Sequence, residues 1–355
     1  MTSRASERAQ LVGTGLIGAS IGLALRANGW HVTGSDHDEK RSARAAELGA
    51  VDEVGRDADA EITFVATPVS AVVEAARSAL AGGGLVTDVG SVKGPIVGAV
   101  SSSRFVGGHP MAGSEQEGVD GADASLFVGA TWVLTPTETT DPGAFARVRA
   151  VVAGLGADVV AVSPERHDEL VAVVSHVPHL AAATLMGLAT VGAEEHSAML
   201  RLAAGGFRDM TRIAAGHPGI WPDICAENRE AIVRSLDDLL AALANVRAIV
   251  ADGDRDALMT ILEGARRGRT NLPERAAAAG RLVELRVPVR NQPGVLAEVT
   301  TLPAQLDVNI VNFDIAHSIE GDRGVLVLVV AADYSERLRL ALIERGYRPA
   351  VQSLE

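Results

Sequence analysis

The sequence holds a single cysteine, Cys225, so no internal disulfide can form and no cysteine-based zinc site has a partner. Cys225 reads as a small buried apolar residue. No run of eighteen uncharged apolar residues occurs, and the N-terminus MTSRASERAQ lacks the apolar stretch of a signal peptide. No membrane association is therefore expected, and the cytoplasm is the default compartment. Positive charge is also short: 32 Lys and Arg stand against 45 Asp and Glu, a net charge of −13, with no local basic run to override it. Such a surface repels nucleic acid and anionic membranes alike. An anionic small molecule stays open as a partner, because one or two placed cations suffice to hold it.

What is abundant is core material, since 47% of the 355 residues are apolar, enough for two or three domains. Over residues 1–162, short Val/Ile/Leu runs alternate with Ala-rich amphipathic stretches, the pattern of parallel strands joined by crossover helices. Strands are predicted at 10–13, 31–35, 61–66, 84–89, 104–108 and 131–134. Over residues 163–279 the strand-like runs vanish and apolar residues recur at helical spacing. One long helix is predicted over 222–252, with Gly253 as its stop and Leu236, Leu239, Leu240 and Leu243 as one apolar stripe. A segment this small cannot bury that stripe by itself, so a homodimer built around it is expected. Residues 280–355 change character again and read as βαββαβ, a split βαβ sandwich.

Gly13-Thr14-Gly15-Leu16-Ile17-Gly18 follows an apolar strand and opens an apolar helix, the context that a dinucleotide-binding loop requires. Gly13 permits the tight turn, Gly15 lets backbone N–H groups approach a pyrophosphate, and Gly18 lets helix and strand pack closely. Asp36 ends the second predicted strand, where a carboxylate accepts hydrogen bonds from ribose hydroxyls and repels a 2′-phosphate. NAD is thus favoured over NADP, although His37, Lys40 and Arg41 stand nearby. Thr67, just past the third predicted strand, is counted with the cofactor residues.

Polar residues gather in three further segments: Asp88-Val89-Gly90-Ser91-Val92-Lys93, then Gly107-Gly108-His109-Pro110-Met111-Ala112-Gly113-Ser114-Glu115, then Ser175-His176-Val177-Pro178-His179. In open parallel sheets, ligands bind at the carboxyl ends of strands. A fourth segment, Gly206-Phe207-Arg208-Asp209-Met210-Thr211-Arg212-Ile213, lies in the helical region. Together and in this order, the motifs resemble the prephenate dehydrogenase family, the cyclohexadienyl dehydrogenases of tyrosine biosynthesis.

The resemblance runs from about residue 11 to residue 277 and implies an α/β fold: a Rossmann-type parallel sheet, an all-helical dimerisation domain, and a C-terminal domain resembling an ACT module. It implies oxidative decarboxylation of prephenate with NAD, or of arogenate in the alternative. His109 then matches the catalytic histidine, Ser91 the serine that orients it, and Arg212 the guanidinium that anchors a substrate carboxylate. His176 and His179 match a pair at the substrate pocket. Ser114 and Glu115 match its mouth, Asp209 would orient Arg212, and Trp221 matches an aromatic residue near the entrance. Lys93 receives no role. No metal is implied, because no cysteine or carboxylate completes a set around the histidines. The ACT-like module, with Asn291-Gln292-Pro293-Gly294 at its first strand-to-helix turn, makes tyrosine a plausible effector. The few residues before position 9 leave no room for a fused chorismate mutase domain, so mutase activity is not expected.

Two rival readings share parts of the pattern. A β-hydroxyacid dehydrogenase has a similar architecture but relies on a lysine in the first long helix of its helical domain, and residues 163–186 contain none. A non-catalytic NAD sensor would not need His109, Ser91 and Arg212 together.

Overall fold

The computed structural model describes residues 7–113, 116, 118–195, 199–272, 282–290, 292, 294–306, 308, 310, 312–317 and 323–353. Two compact units separate, Met1–Glu274 and Arg275–Glu355.

The first unit is organised by β1 (Arg8–Val12), whose three central residues are buried. Helix α1 (Leu16–Ala27) carries the chain back to β2 (His31–Ser35), and α2 (Glu39–Glu47) leads to the short β3 (Glu53–Val54). Next come β4 (Ile62–Val65), α3 (Val69–Leu80), β5 (Leu85–Asp88), α4 (Gly94–Ala99), β6 (Phe105–Pro110), β7 (Thr131–Thr135), α5 (Pro142–Gly154) and β8 (Asp158–Ala161). The sheet order is β3-β2-β1-β4-β5-β6-β7-β8. Every residue of β4 and β6 is buried, as expected of strands covered on both faces. All six strands predicted from the sequence are present, with ends shifted by up to two residues.

Strands β3 and β8 were not predicted. The first has only two residues, both exposed, and the second is largely exposed although Val159-Val160-Ala161-Val162 is a short apolar run. One pairing departs from the parallel pattern: β7 runs antiparallel to β6. Among the described residues the connection between them holds only a single turn of 3-10 helix, Val119–Gly121, and a parallel return would need a full crossover.

No strand occurs among the described residues from 163 to 272. Ser163 caps α6 (Pro164–Val171) by accepting the Arg166 N–H at 3.2 Å, with Pro164 at the first turn. One π turn, Ala172–His176, joins α6 to α7 (Val177–Glu195). Within the stretch Pro164–Ala193 one 18-residue window reaches a mean hydropathy of 1.5, apolar and long enough to cross a membrane by length and composition only, a window that the sequence expectation passed over. That expectation looked for uninterrupted apolar runs, whereas here Ser175, His176, Pro178 and His179 interrupt a helix that is apolar on average. His176 is buried against other side chains, as in a helix that builds a site.

Helix α8 (Gly205–Thr211) follows, and then the predicted 222–252 helix proves to be two, α9 (Trp221–Glu227) and α10 (Arg229–Asp252). Asn228 breaks it. Its buried amide donates to the Asp168 carbonyl at 2.9 Å and contacts His176 Nδ1 at 3.2 Å, bonds that a continuous helix has no reason to supply. Gly253 stops α10 in the left-handed conformation at φ +66°, as predicted, and α11 (Arg255–Thr270) completes the unit. Along α10, Leu236 packs near Ile232 and Ala172, while Leu240 and Leu243 stay 62% and 54% exposed.

The second unit has the predicted βαββαβ order: β9 (Leu282–Arg290), α12 (Val295–Gln305), β10 (Asn312–His317), β11 (Arg323–Ala331), α13 (Ala332–Glu344) and β12 (Ala350–Ser353). Its antiparallel sheet is ordered β10-β11-β9-β12. Leu285, Val287, Leu326 and Leu328 form its core with Val299, Leu338 and Leu342 of the two helices. Of the predicted effector turn, Gln292 and Gly294 are described, and Asn291 and Pro293 lie outside the described residues.

Candidate active site

The strand order reverses at β1, and register decides what meets there. Val12 pairs with Ser35 of β2 on one side and with Val65 of β4 on the other. The glycine loop, Asp36 and Thr67 therefore leave the sheet side by side, at the crevice where open α/β sheets bind ligands.

The three loop glycines have different reasons to be glycine. Gly13 stands at φ +96°, and a Cβ on it would strike the Ala66 carbonyl oxygen. A Cβ on Gly18 would strike the carbonyl oxygen of Gly13, so this position sets how closely α1 can approach the loop. A Cβ on Gly15 meets nothing within 4 Å, which leaves open space in front of the first turn of α1. That turn, beginning with Leu16 and Ile17, has no side-chain cap and no acidic residue. Its free N–H groups suit a pyrophosphate. The Thr67 hydroxyl is buried without a protein partner, a further donor consistent with a ligand at this crevice.

Thr14 and Asp36 differ from the sequence expectation. Thr14 is fully buried, its N–H donating to Asp36 Oδ2 at 2.8 Å and its hydroxyl lying 3.4 Å from the same oxygen. The Asp38 N–H donates to Oδ1 at 3.0 Å, and the Asp36 side chain is only 4% exposed. The carboxylate thus braces the glycine loop as well as placing negative charge at the end of β2. Residues so near in space but 22 apart in sequence give no local pattern from which this could be read.

A second cluster lies past β5 and β6. His109, in β6, is 8% exposed, and its Nδ1 lies 2.8 Å from Nε2 of His167. His167 Nδ1 in turn lies 2.8 Å from Asp168 Oδ1. The Asp168 carboxylate also accepts the N–H groups of Lys93 at 2.8 Å and Gly94 at 2.7 Å, which ties α6 to the start of α4. Beneath them, fully buried Lys93 pairs with fully buried Asp88. Asp88 also accepts from Gly90 N at 2.9 Å and from Gly108 N at 3.1 Å, next to His109. Burial above all, then His167, Lys93 and His176, push the His109 imidazolium well below its usual pKa, so the ring is neutral near pH 7.

Trp221 joins the other two histidines. It stacks on His179 at 3.7 Å between ring centroids and meets His176 edge-on at 6.1 Å. Burial lowers the His176 pKa to about 4 and also lowers that of His179. The turn Arg212–Ala215 packs against α7, and Gly216 reaches His179, so Arg212 begins a segment that closes on this side. Asp209 and Arg212 are both exposed. Ser114 and Glu115 lie outside the described residues.

Ser91 is half-buried in the turn after β5, and the recorded hydrogen-bond partner of His109 Nδ1 is His167 instead. The sequence reading missed His167, Asp168 and Asn228, and left Lys93 without a role. His167 and Asp168 sit inside the charged run PERHDEL, which looks like a solvated helix face. The one available signal was that a helix capped by Ser163 buries its fourth and fifth residues.

Comparison with known families decides what this arrangement is. Residues 21–161 match the prephenate dehydrogenase nucleotide-binding domain, residues 163–264 the prephenate dehydrogenase dimerization domain, and residues 285–342 an AHAS small subunit-like ACT domain. The prephenate dehydrogenase of Bacillus subtilis is 35% identical over 91% of this chain and 92% of its own. The chain belongs to the prephenate dehydrogenase family. Two solved structures of similar proteins are an Aquifex aeolicus prephenate dehydrogenase in complex with hydroxyphenyl propionate and NAD+ and a Synechocystis arogenate dehydrogenase. The first has TM-score 0.71, 30% identity, and coverage of 77% of this chain and 100% of the other. The second has TM-score 0.64, 33% identity, and coverage of 74% and 99%. Membership makes the chain an oxidoreductase, and the glycine loop, which lies before the first matched residue, is read from geometry alone.

Proposed function

We propose that the chain converts prephenate to 4-hydroxyphenylpyruvate by NAD-dependent oxidative decarboxylation, in tyrosine biosynthesis, with His109 as the base. One observation carries the role of His109: it is a buried, neutral imidazole whose Nδ1 is engaged, leaving Nε2 to take a proton from the substrate's ring hydroxyl. Bound NAD supplies the acceptor for the hydride that leaves the same carbon. Loss of carbon dioxide makes the ring aromatic and the step strongly downhill, so the protein's task is alignment and proton removal. Gly15, the first turn of α1 and Thr67 hold the dinucleotide. Asp36 keeps the loop in shape and disfavours a 2′-phosphate, which supports NAD over NADP.

The test is NADH or NADPH formation with prephenate and with arogenate, each offered with NAD and with NADP. Prephenate with NAD is expected to give the highest kcat/KM; turnover of neither substrate would overturn the assignment. Arogenate is the alternative, supported by the similarity to an arogenate dehydrogenase.

Arg212 anchors a substrate carboxylate in this reading, with His176, His179 and Trp221 forming the adjoining wall and Ser114, Glu115 and Asp209 at the mouth. A charge-assisted contact made in both ground and transition states is uniform binding. Arg212→Ala should therefore raise KM for prephenate by roughly 10- to 100-fold with kcat little changed. Steady-state kinetics check this, and a fall in kcat at unchanged KM would count against it.

The exposed Leu240 and Leu243 stripe supports a homodimer formed through the helical region, and the ACT-like unit supports tyrosine as an effector. Light scattering during a tyrosine titration, with activity followed in parallel, tests both. A monomeric mass would refute the first, and unchanged activity and thermal stability the second. The cytoplasm is the proposed compartment.

A further inference from the structure

We propose that His167 is the positioning residue of the reaction: backed by Asp168, it fixes His109 as the tautomer protonated on Nδ1, so that the lone pair sits on Nε2, facing the substrate proton. This rests on His109 being the base. The direction of the bonds follows from the end of the chain. An ionised carboxylate only accepts, so the 2.8 Å contact with Asp168 Oδ1 puts a proton on His167 Nδ1. A neutral His167 then has a bare Nε2. That nitrogen, 2.8 Å from His109 Nδ1, can only accept, and His109 must carry its proton on Nδ1.

The opposite polarity would require His167 to be an imidazolium donating to His109 Nδ1, which would leave His109 with a proton on Nε2 and no basic nitrogen. Both rings are buried, His109 8% and His167 1% exposed, and the Lys93 side chain beside them is fully buried too, a setting that disfavours a second cation.

The arrangement is built to be rigid. His167 is 1% exposed, its ring meets that of His109 edge-on with centroids 5.0 Å apart, and Asp168 is held by two backbone N–H groups at the start of α4. The Asn228 amide fixes the Asp168 carbonyl as well. After Nε2 takes the substrate proton, the resulting His109 cation keeps its Nδ1–H bond to His167. The charge faces an imidazole already polarised by a carboxylate, so it is stabilised without Asp168 having to be protonated.

The experiment uses the full chain with 15N-labelled histidine, together with His167→Gln and His167→Leu. Glutamine sets an amide oxygen near the place of Nε2 and can accept from His109; leucine cannot. The expected results are a His109 signal of the Nδ1–H tautomer, a kcat loss of roughly 10- to 100-fold in the leucine variant with KM within about threefold, and recovery of most of that loss in the glutamine variant. A His109 proton on Nε2 in the parent protein would overturn the proposal. So would normal kcat in the leucine variant, or equal losses in both variants, since equal losses mean that the acceptor does not matter. The tautomer is read without substrate. An error in the substrate assignment therefore leaves that measurement standing, and an error about the base appears separately, as full activity in His109→Asn.

Discussion

His109→Asn should lower kcat by on the order of 10²- to 10⁴-fold, the usual worth of general base catalysis, with a smaller change in KM. Asparagine keeps a polar group of similar size in β6 and can still face His167, so the sheet should tolerate it. What is lost is the His109 ring nitrogen that this reading leaves to take the hydroxyl proton. The pH profile supplies an independent reading. Burial holds the parent His109 pKa well below the usual 6.5, and the base works only when unprotonated. kcat/KM should therefore stay level as pH falls through 6.5 and decline only at the lower, folded-state pKa. An acid limb centred on 6.5, or near-normal turnover in the asparagine variant, would remove His109 from the mechanism.

Lys93→Met is the substitution expected to affect stability most. It strands the Asp88 carboxylate in a fully buried site, where among the described residues the Gly90 and Gly108 N–H groups remain to face it. Removing one partner of a buried pair typically costs about 3–5 kcal/mol. Urea unfolding of the first unit should show a loss of that size. The double variant Asp88→Asn, Lys93→Met should recover much of it, because the penalty lies in the orphaned charge and not in the absence of the pair. Equal stability of Lys93→Met and the parent would mean that Asp88 is neutral in the folded protein.

The contrast between these two positions reflects what a sequence can reveal. His109 was found because it sits in a long motif at a strand end, and the glycine loop because spacing along the chain is itself the signal. The six central strands and the βαββαβ order were legible from hydrophobic period. Lys93 and Asp88 were visible as residues but not as a pair, because their burial depends on β6 and α6, which join them from elsewhere in the chain. His167 and Asp168 were hidden by charged neighbours, and Asn228 by the helical periodicity on both sides of it. Strand β3 escaped because a two-residue edge strand needs no apolar run, whereas β8 has a short one, Val159-Val160-Ala161-Val162, that was passed over. The antiparallel turn into β7 escaped because direction depends on what the connection lacks.

The open space in front of Gly15 separates two kinds of selection on one short loop. At Gly13 and Gly18 a methyl group collides with backbone, so substitutions there remove the folded protein itself. At Gly15 an alanine finds room and an ordinary extended conformation, φ −73° and ψ −162°, and by restricting the unfolded chain it should leave stability unchanged or raise it by about 0.4–1 kcal/mol. Its methyl group instead occupies the place where a pyrophosphate must come close. A library of variants scored by cellular abundance should therefore be blind to Gly15 and intolerant at its two neighbours. The same library scored by growth without tyrosine should reject all three.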